Sequence, residues 1–388
     1  MNPGDRILRS PYLALAPADD GYLAYDIESS RLHRLNLAAA LIVELSNGIR
    51  TEADVCTELG PLLGGAGPEA YLQWIEAAKT EGLLRAVQTG DPPPATPSPR
   101  DFVSRASQLR EEGYVLGAFT CQHYATLLLP DEADQWYTLG ELAHTIGRRE
   151  DAREAYEQYF KLTPDDAEIE QILISLRNEP APPRAPNRCI EQLYSRFAEH
   201  YEESMCGNLG YEGPARLSEA LDAELGSLRD LDVLELGCGT GLAGRYLRTR
   251  ARRLVAIDLS REMVTRAQTT GLYDHIDVAE ITEWLSRPEI PHFHLITACD
   301  TLIYFGDLRQ VILPAAKRLY QGGRLAFTVE RGERDPFRLT DSGRYEHTEV
   351  HVRTVAEEAS LTVASLTEGF LRYEYGEPVA GLVAILRR

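Results

Sequence analysis

The sequence predicts a multidomain chain: a small α+β, winged-helix-like unit, then an all-α repeat, then an α/β domain built on a parallel sheet. Three observations carry this. Two proline-rich stretches, Thr89-Gly-Asp-Pro-Pro-Pro-Ala-Thr-Pro-Ser-Pro99 and Glu179-Pro-Ala-Pro-Pro-Arg-Ala-Pro-Asn187, punctuate the 388 residues. Such proline density fixes φ and removes backbone donors, so neither helix nor sheet runs through. The blocks they leave, 1–88, 100–178 and 188–388, are the expected domains, because the chain is too long for one ordinary core. The middle block repeats itself at a spacing of 34 residues, and the last alternates strand-like with helix-like periods.

Composition sets limits. An apolar fraction of 44% and a charged fraction of 26% are those of an ordinary soluble protein. No apolar run approaches the roughly 20 residues of a membrane span. The start Met1-Asn-Pro-Gly-Asp-Arg lacks the pattern of a secretion signal, so a cytoplasmic location without membrane contact is expected. The net charge of −20 opposes nucleic acid as a partner, because phosphate neutralisation supplies most of that affinity. Cysteines 56, 121, 189, 206, 238 and 299 form no Cys-x-x-Cys pair. That spacing predicts reduced thiols, with neither a metal site nor a disulfide framework.

Block one opens with short alternating runs. Pro11-Tyr-Leu-Ala-Leu-Ala16, Gly21-Tyr-Leu-Ala-Tyr25 and Arg31-Leu-His-Arg-Leu35 read as strands. Asn36–Leu45 has helical period and stops at Asn47-Gly48; Thr51 with Asp54 starts a helix reaching Leu63; a third helix aligns Tyr71, Trp74, Ile75 and Ala78. Residues 1–86 hold 12 acidic against 7 basic side chains, a sign that opposes DNA. The segment Leu32-His-Arg-Leu-Asn-Leu-Ala-Ala-Ala-Leu-Ile-Val-Glu-Leu45, with Asn47-Gly48, Thr51 and Glu81-Gly-Leu-Leu84, resembles the PqqD-like peptide chaperones of quinone-cofactor biosynthesis. Those are the recognition elements of ribosomally made, modified peptides (RiPPs). The resemblance implies a leader peptide that adds as a strand beside the third strand, against the last helix. His33 and Arg34 would then offer the edge, with Tyr71, Trp74 and Ala78 lining the groove; the competing reading makes the aromatic stripe plain core.

In block two, Gly113, Ala118, Leu128 and Pro130 recur as Gly147, Ala152, Leu162 and Pro164. With Trp136, Leu139, Gly140 and Tyr156 these are the positions of a tetratricopeptide repeat. A helix over Ala167–Leu176 is expected to cap the pair, and two repeats bury little core, so the block should pack on a neighbour.

In block three Asp232-Val-Leu-Glu-Leu236 is the first strand, running into Gly237-Cys-Gly-Thr-Gly241 and a helix start. Glycines let backbone N–H groups approach a ligand there. A second strand, Arg253–Ile257, ends at Asp258, placed to accept from two ribose hydroxyls. The loop form Glu-x-Gly-x-Gly-x-Gly differs from the dinucleotide fingerprint Gly-x-Gly-x-x-Gly. With Glu235 before it, it resembles motif I of the Rossmann-like, class I methyltransferases that use S-adenosylmethionine (SAM). That resemblance implies SAM as cofactor, S-adenosylhomocysteine (SAH) as product and no metal. It implies cofactor contacts from Glu235, Gly237, Cys238, Gly239, Gly241, Asp258, Leu259, Met263, Glu280 and Asp300. Glu280 stands where Asp is usual, and His294 replaces a common Asp at the fourth strand. The whole block is similar to predicted methyltransferases that carry tetratricopeptide repeats upstream.

Methyl transfer is an in-line displacement, so holding both reactants in line supplies much of the acceleration. The segment 188–205 carries Tyr194, Phe197 and Tyr201 at helical spacing and is expected to close over the cofactor. An acceptor that must lose a proton needs a base; the candidates are His347, Tyr345, Tyr304 and Asp300, with His351 facing solvent. A carboxylate acceptor needs none. Joining the blocks gives an enzyme that binds a precursor's leader at residues 1–88 and methylates its core or C-terminal group. The alternatives are a methyltransferase for a protein or small molecule whose first blocks serve only assembly, and a SAM-binding adaptor.

Overall fold

Local sequence signals build two compact units, Met1–Thr163 and Pro164–Arg388, in the computed structural model. It describes residues 6–63, 68–88, 91–92, 94–197, 201–334 and 336–388. Thr89, Gly90 and Pro93 of the first proline-rich stretch, and the side chain of Phe197, lie outside the described part.

The first unit runs β1 (Arg6–Arg9), β2 (Leu13–Ala18), β3 (Gly21–Asp26), β4 (Arg31–Asn36), α1 (Leu37–Leu45), β5 (Asn47–Thr51), α2 (Glu52–Leu63), α3 (Pro68–Thr80) and β6 (Leu84–Val87). Four helices follow: α4 (Pro99–Glu111), α5 (Val115–Leu128), α6 (Ala133–Thr145) and α7 (Arg149–Leu162). The three strands expected from sequence form an antiparallel β2-β3-β4 sheet with Leu23 opposite Arg34. The Asp26 carboxylate accepts the Glu28 amide at 2.9 Å and makes the turn into β4. Asn36 caps α1 by accepting the Ala39 amide. Sequence reasoning missed a second sheet, β5-β1-β6, whose strands are too short to show a period.

Leu13, Ile42, Val43, Leu59 and Ile75 form the core of this half. Tyr71 and Ala78 belong to it as well, fully packed, which corrects their assignment to a peptide groove: the stripe on α3 faces inward. Trp74 is half-buried at the core margin. Within the unit, α5 lies on β2, with His123 Nδ1 3.3 Å from the Leu15 carbonyl. Arg105 of α4 donates to the Tyr25 hydroxyl at 2.8 Å.

The second unit begins with α8 (Ala167–Leu176) and α9 (Asn187–Phe197). The expected cap of the repeat, α8, thus groups with the last block: Ser175 Oγ donates to the Leu339 carbonyl and Gln171 to the Tyr345 hydroxyl. Next come α10 (Gly213–Leu225), β7 (Leu231–Leu236), α11 (Gly244–Leu247), β8 (Ala251–Asp258), α12 (Arg261–Thr269), β9 (His275–Val278), α13 (Ile281–Ser286), β10 (Phe293–Ala298) and α14 (Arg309–Lys317). The chain ends with β11 (Leu319–Arg331), β12 (Phe337–Leu339), β13 (Tyr345–His347), α15 (Glu349–Glu358), β14 (Thr362–Glu374) and β15 (Glu377–Arg387).

Strand order β11-β10-β7-β8-β9 is parallel throughout, and β15 joins β11 antiparallel. This is a Rossmann-like α/β layering whose order reverses between β7 and β10. Ligands of open α/β sheets bind outside the carboxyl ends of the strands at such a switch. Leu234, Leu236, Ile257, Ile296 and Phe327 are fully buried, each contributing roughly 1.5–3 kcal/mol over exposure. They fix the strand order that sets two loops side by side.

The second proline-rich stretch is not a spacer. The Pro182 carbonyl accepts from the Tyr345 hydroxyl at 2.8 Å. The Pro183 carbonyl accepts from the Gly306 and Asp307 amides, and the Ala185 amide donates to the Tyr304 carbonyl. Proline lacks a donor but keeps its acceptor, so an extended strap can dock where a strand ladder cannot form. Among the described residues no helix is long and apolar enough to cross a membrane.

Candidate active site

The end of β7 turns sharply because Gly237, Gly239 and Gly241 adopt φ of 70°, 54° and 98°, a region open chiefly to glycine. At Gly237 a Cβ would fall 2.4 Å from the Thr301 side chain, so the loop from β7 and the loop from β10 touch where only hydrogen fits. The Gly239 amide donates to Asp258 Oδ2 at 2.8 Å and the Ser260 amide to Oδ1 at 2.9 Å. Burial pushes the Asp258 carboxyl up from its usual range, while those amides oppose the shift. Two oxygens so held still have lone pairs to offer a ligand.

A cleft opens at this point, at the place where such sheets bind cofactors. Of the residues expected to hold a cofactor, Gly237, Gly239, Asp258, Leu259, Met263 and Glu280 line it. So do Asp300, Tyr194, Tyr201 and Tyr304. Met263 sits there because Ser260 caps α12, accepting the Met263 amide. Glu280 caps α13, accepting the Glu283 amide at 2.8 Å, and its other oxygen pairs with Arg184 of the strap at 2.8 Å. Burial works upward on its carboxyl, but Thr282, the Glu283 amide and Arg184 hold it below the usual value.

Three expected cofactor residues lie off the cleft lining. Cys238 is buried within the loop, and Gly241 closes the turn with its amide on the Cys238 carbonyl. Glu235 is 1% exposed beneath the loop and accepts the Tyr273 hydroxyl at 2.8 Å. A Cβ on Gly244 would strike that hydroxyl at 2.1 Å, so Tyr273 fills the space under the glycines. Burial raises the Glu235 carboxyl to about 8, and it is protonated at neutral pH.

His347 and Tyr345 do not reach the cleft. Both are fully buried on β13, and Tyr345 spends its hydroxyl on the Pro182 carbonyl. His347 Nδ1 lies 3.2 Å from His351 Nδ1; burial, with His351 beside it, lowers its pKa to about 3. His351 is buried too, because the run expected to alternate becomes the first turn of α15. Of the four candidate bases, Tyr304 and Asp300 remain at the cleft. Arg372, itself 1% exposed, holds both oxygens of Asp300 at 2.9 and 3.1 Å.

Arg184, Asn187 and Ile190 also line the cleft; sequence reasoning missed Arg184 and Asn187 because the strap was taken for a linker, and Ile190 because only the aromatic residues of segment 188–205 were singled out. It missed Arg372 and Arg344 as well. Arg344 pairs with Glu374, and no local spacing announces that contact.

Residues 234–325 match the family model described as a methyltransferase domain. The chain is 29% identical over 151 residues to malonyl-[acyl-carrier protein] O-methyltransferase of Enterobacter lignolyticus, covering 38% of this chain and 55% of that protein. It is 30% identical over 156 residues to protein O-mannosyl-transferase TMTC1 of Mus musculus, 38% of this chain and 16% of that one. The solved N-methyltransferase NodS of Bradyrhizobium japonicum, in complex with SAH, is 26% identical, covering 45% of this chain and 86% of that chain with a TM-score of 0.36. The chain spans about half the length of the curated methyltransferases it matches. The cleft suits the cofactor of those enzymes chemically, with a carboxylate held by two amides at Asp258, the apolar side chain of Met263 and a glycine turn open to close approach.

Proposed function

We propose that the chain is a SAM-dependent methyltransferase that modifies a ribosomally made precursor peptide, whose leader binds the first unit. The first half rests on one observation above others: the Gly239–Asp258 bond at the switch point, inside a segment matching a methyltransferase domain. Bound there, SAM supplies an activated methyl group. The chain's own residues seat it, align the acceptor and exclude water from the line of attack. Similarity to malonyl-[acyl-carrier protein] and ubiquinone biosynthesis O-methyltransferases favours an oxygen acceptor.

The peptide half draws support from the first unit by itself. Among the described residues β4 pairs with β3 alone, leaving an edge that a strand can join. Exposed Arg34 and half-buried His33 lie on it, His33 Nδ1 3.6 Å from Glu81 at the end of α3. Leu32 on the same strand is exposed and borders an open groove with Tyr25, Arg105 and Tyr114. With Tyr71 and Ala78 in the core, specificity passes to Leu32, His33, Arg34 and Trp74.

The test is mass spectrometry of a precursor peptide encoded beside the gene, after incubation with the full chain and SAM. A gain of one methyl that falls when the leader is removed supports the reading. Equal methylation with and without leader restricts the first unit to another role.

A further inference from the structure

Three cleft residues stand at the carboxyl ends of adjacent parallel strands. Gly237 follows β7, Asp258 ends β8, and Glu280 lies two residues beyond β9. Neighbouring strands are about 4.8 Å apart, so Glu280 is one strand past Asp258 and about 10 Å past the glycine turn. A nucleoside whose ribose rests on Asp258, with its 5′ side toward the glycines, carries its base toward Glu280. Leu259 and Met263 beside Asp258, and Ile281 beside Glu280, supply apolar lining on that path.

The polar groups at its end come as a pair. Arg184 Nη1 donates to Glu280 Oε1 at 2.8 Å, and both residues line the cleft. Glu280 Oε2 accepts the Thr282 hydroxyl and the Glu283 amide. Each carboxylate oxygen offers about two acceptor sites, so Oε1 keeps one beyond Arg184. The guanidinium spends one hydrogen of Nη1 on Glu280 and one of Nη2 on Asn187, which leaves a hydrogen on each. An open acceptor beside an open donor complements an amino group beside a ring nitrogen. Adenine carries that combination, its 6-amino group standing between N1 and N7.

Arg184 is also held in place from several directions. The Pro183 carbonyl before it accepts the Gly306 and Asp307 amides, and the Ala185 amide after it donates to the Tyr304 carbonyl. Its guanidinium lies over the Phe305 ring, 5.3 Å from the centroid. The main-chain bonds dock the strap without the side chain, which reaches on to the cleft.

We propose that Arg184 is a specificity-determining residue for the cofactor's base: it donates to a ring nitrogen beside the adenine amino group, and that amino group donates to Glu280. This rests on the SAM reading above and deepens it. Arg184 lies outside residues 234–325, which match the methyltransferase domain, so recognition of the base depends on the strap ahead of that segment.

The experiment is calorimetric titration of the full chain, and of Arg184→Met, with SAH, 1-deaza-SAH and 7-deaza-SAH. Each analogue lacks one of the two ring nitrogens that flank the amino group. In wild type at least one analogue should bind roughly tenfold to a hundredfold more weakly than SAH, the scale of a hydrogen bond to a charged group. In Arg184→Met, SAH should weaken and that analogue should bind within about twofold of SAH, because the coupling between side chain and ring atom is gone. A side chain that only ties the strap would weaken all three ligands alike and leave the analogue's penalty unchanged. The proposal is overturned if neither analogue binds more weakly than SAH in wild type, a result that needs no variant. It is equally overturned if every analogue penalty survives in Arg184→Met. If wild type binds no SAH, the SAM reading itself fails, and that outcome is distinct from SAH binding without the coupling.

Discussion

The Tyr273 hydroxyl donates to Glu235 at 2.8 Å beneath the glycine loop, joining two side chains 38 residues apart. The carboxyl that opens the cofactor motif is therefore a buried, protonated strut under the loop, and the ligand-facing carboxylate is Asp258.

This has a pH signature. Glu235 has a folded pKa of about 8 against an ordinary 4.5, so the folded state holds its proton more tightly than the unfolded state. The associated stability is complete below pH 4.5 and is lost as pH rises through 8. Glu235→Gln keeps the hydrogen-bond acceptor and cannot ionise. Relative to wild type, its unfolding free energy should improve between pH 5 and 8 by about 1.4 kcal/mol per unit at most. Urea titrations at several pH values check this, and parallel curves for the two chains would refute it.

Gly237→Ala places a methyl group 2.4 Å from Thr301 at a φ of 70°. Left-handed strain of about 1–2 kcal/mol adds to overpacking of about 1–3 kcal/mol. A loss of at least about 2 kcal/mol is expected in urea unfolding. Thr301→Ala in the same chain should restore the overpacking part only. An alanine variant as stable as wild type would contradict the close approach of the two loops.

His347→Gln separates the buried histidine from catalysis. His347 is held neutral by burial, with a pKa of about 3, so its contribution to stability is present above pH 6.5 and lost as pH falls toward 3. The variant should unfold more easily near neutral pH yet transfer methyl at a rate within about twofold of wild type. A general base in that position would cost 10²–10⁴-fold, which rate measurements would reveal at once.

Arg184→Ala removes the strap's grip on Glu280, a contact of 2.8 Å with Glu280 only 7% exposed. Leaving a buried carboxylate unpaired is costly, and Glu280 lines the cavity. SAH affinity should fall about tenfold, the scale of one charged hydrogen bond, as read by calorimetry. Unchanged affinity would make the strap a structural tie alone.

What the sequence disclosed follows from how local each signal is. Gly237 to Gly241 and Asp258 were legible because a strand, a turn and a helix start leave marks within a few residues. The β2-β3-β4 strands showed their alternation for the same reason. The strap was illegible: its prolines mark the absence of helix, and its docking partners Tyr304, Gly306 and Tyr345 lie more than 100 residues on. Arg372 and Asp300, 72 residues apart, left no spacing to find. His347 was misplaced because a polar side chain in a short polar run looks accessible, whereas β13 carries it inside the sheet.

The most direct test of the central claim, that this cleft seats SAM, is calorimetric titration of the full chain and of Asp258→Ala with SAH. Wild type should bind one SAH per chain. Asp258→Ala should bind it about 100-fold more weakly, because ribose contacts to a charged group are lost at roughly 1.5–3 kcal/mol each. Equal affinity in the two chains, or no binding to wild type, would contradict the account.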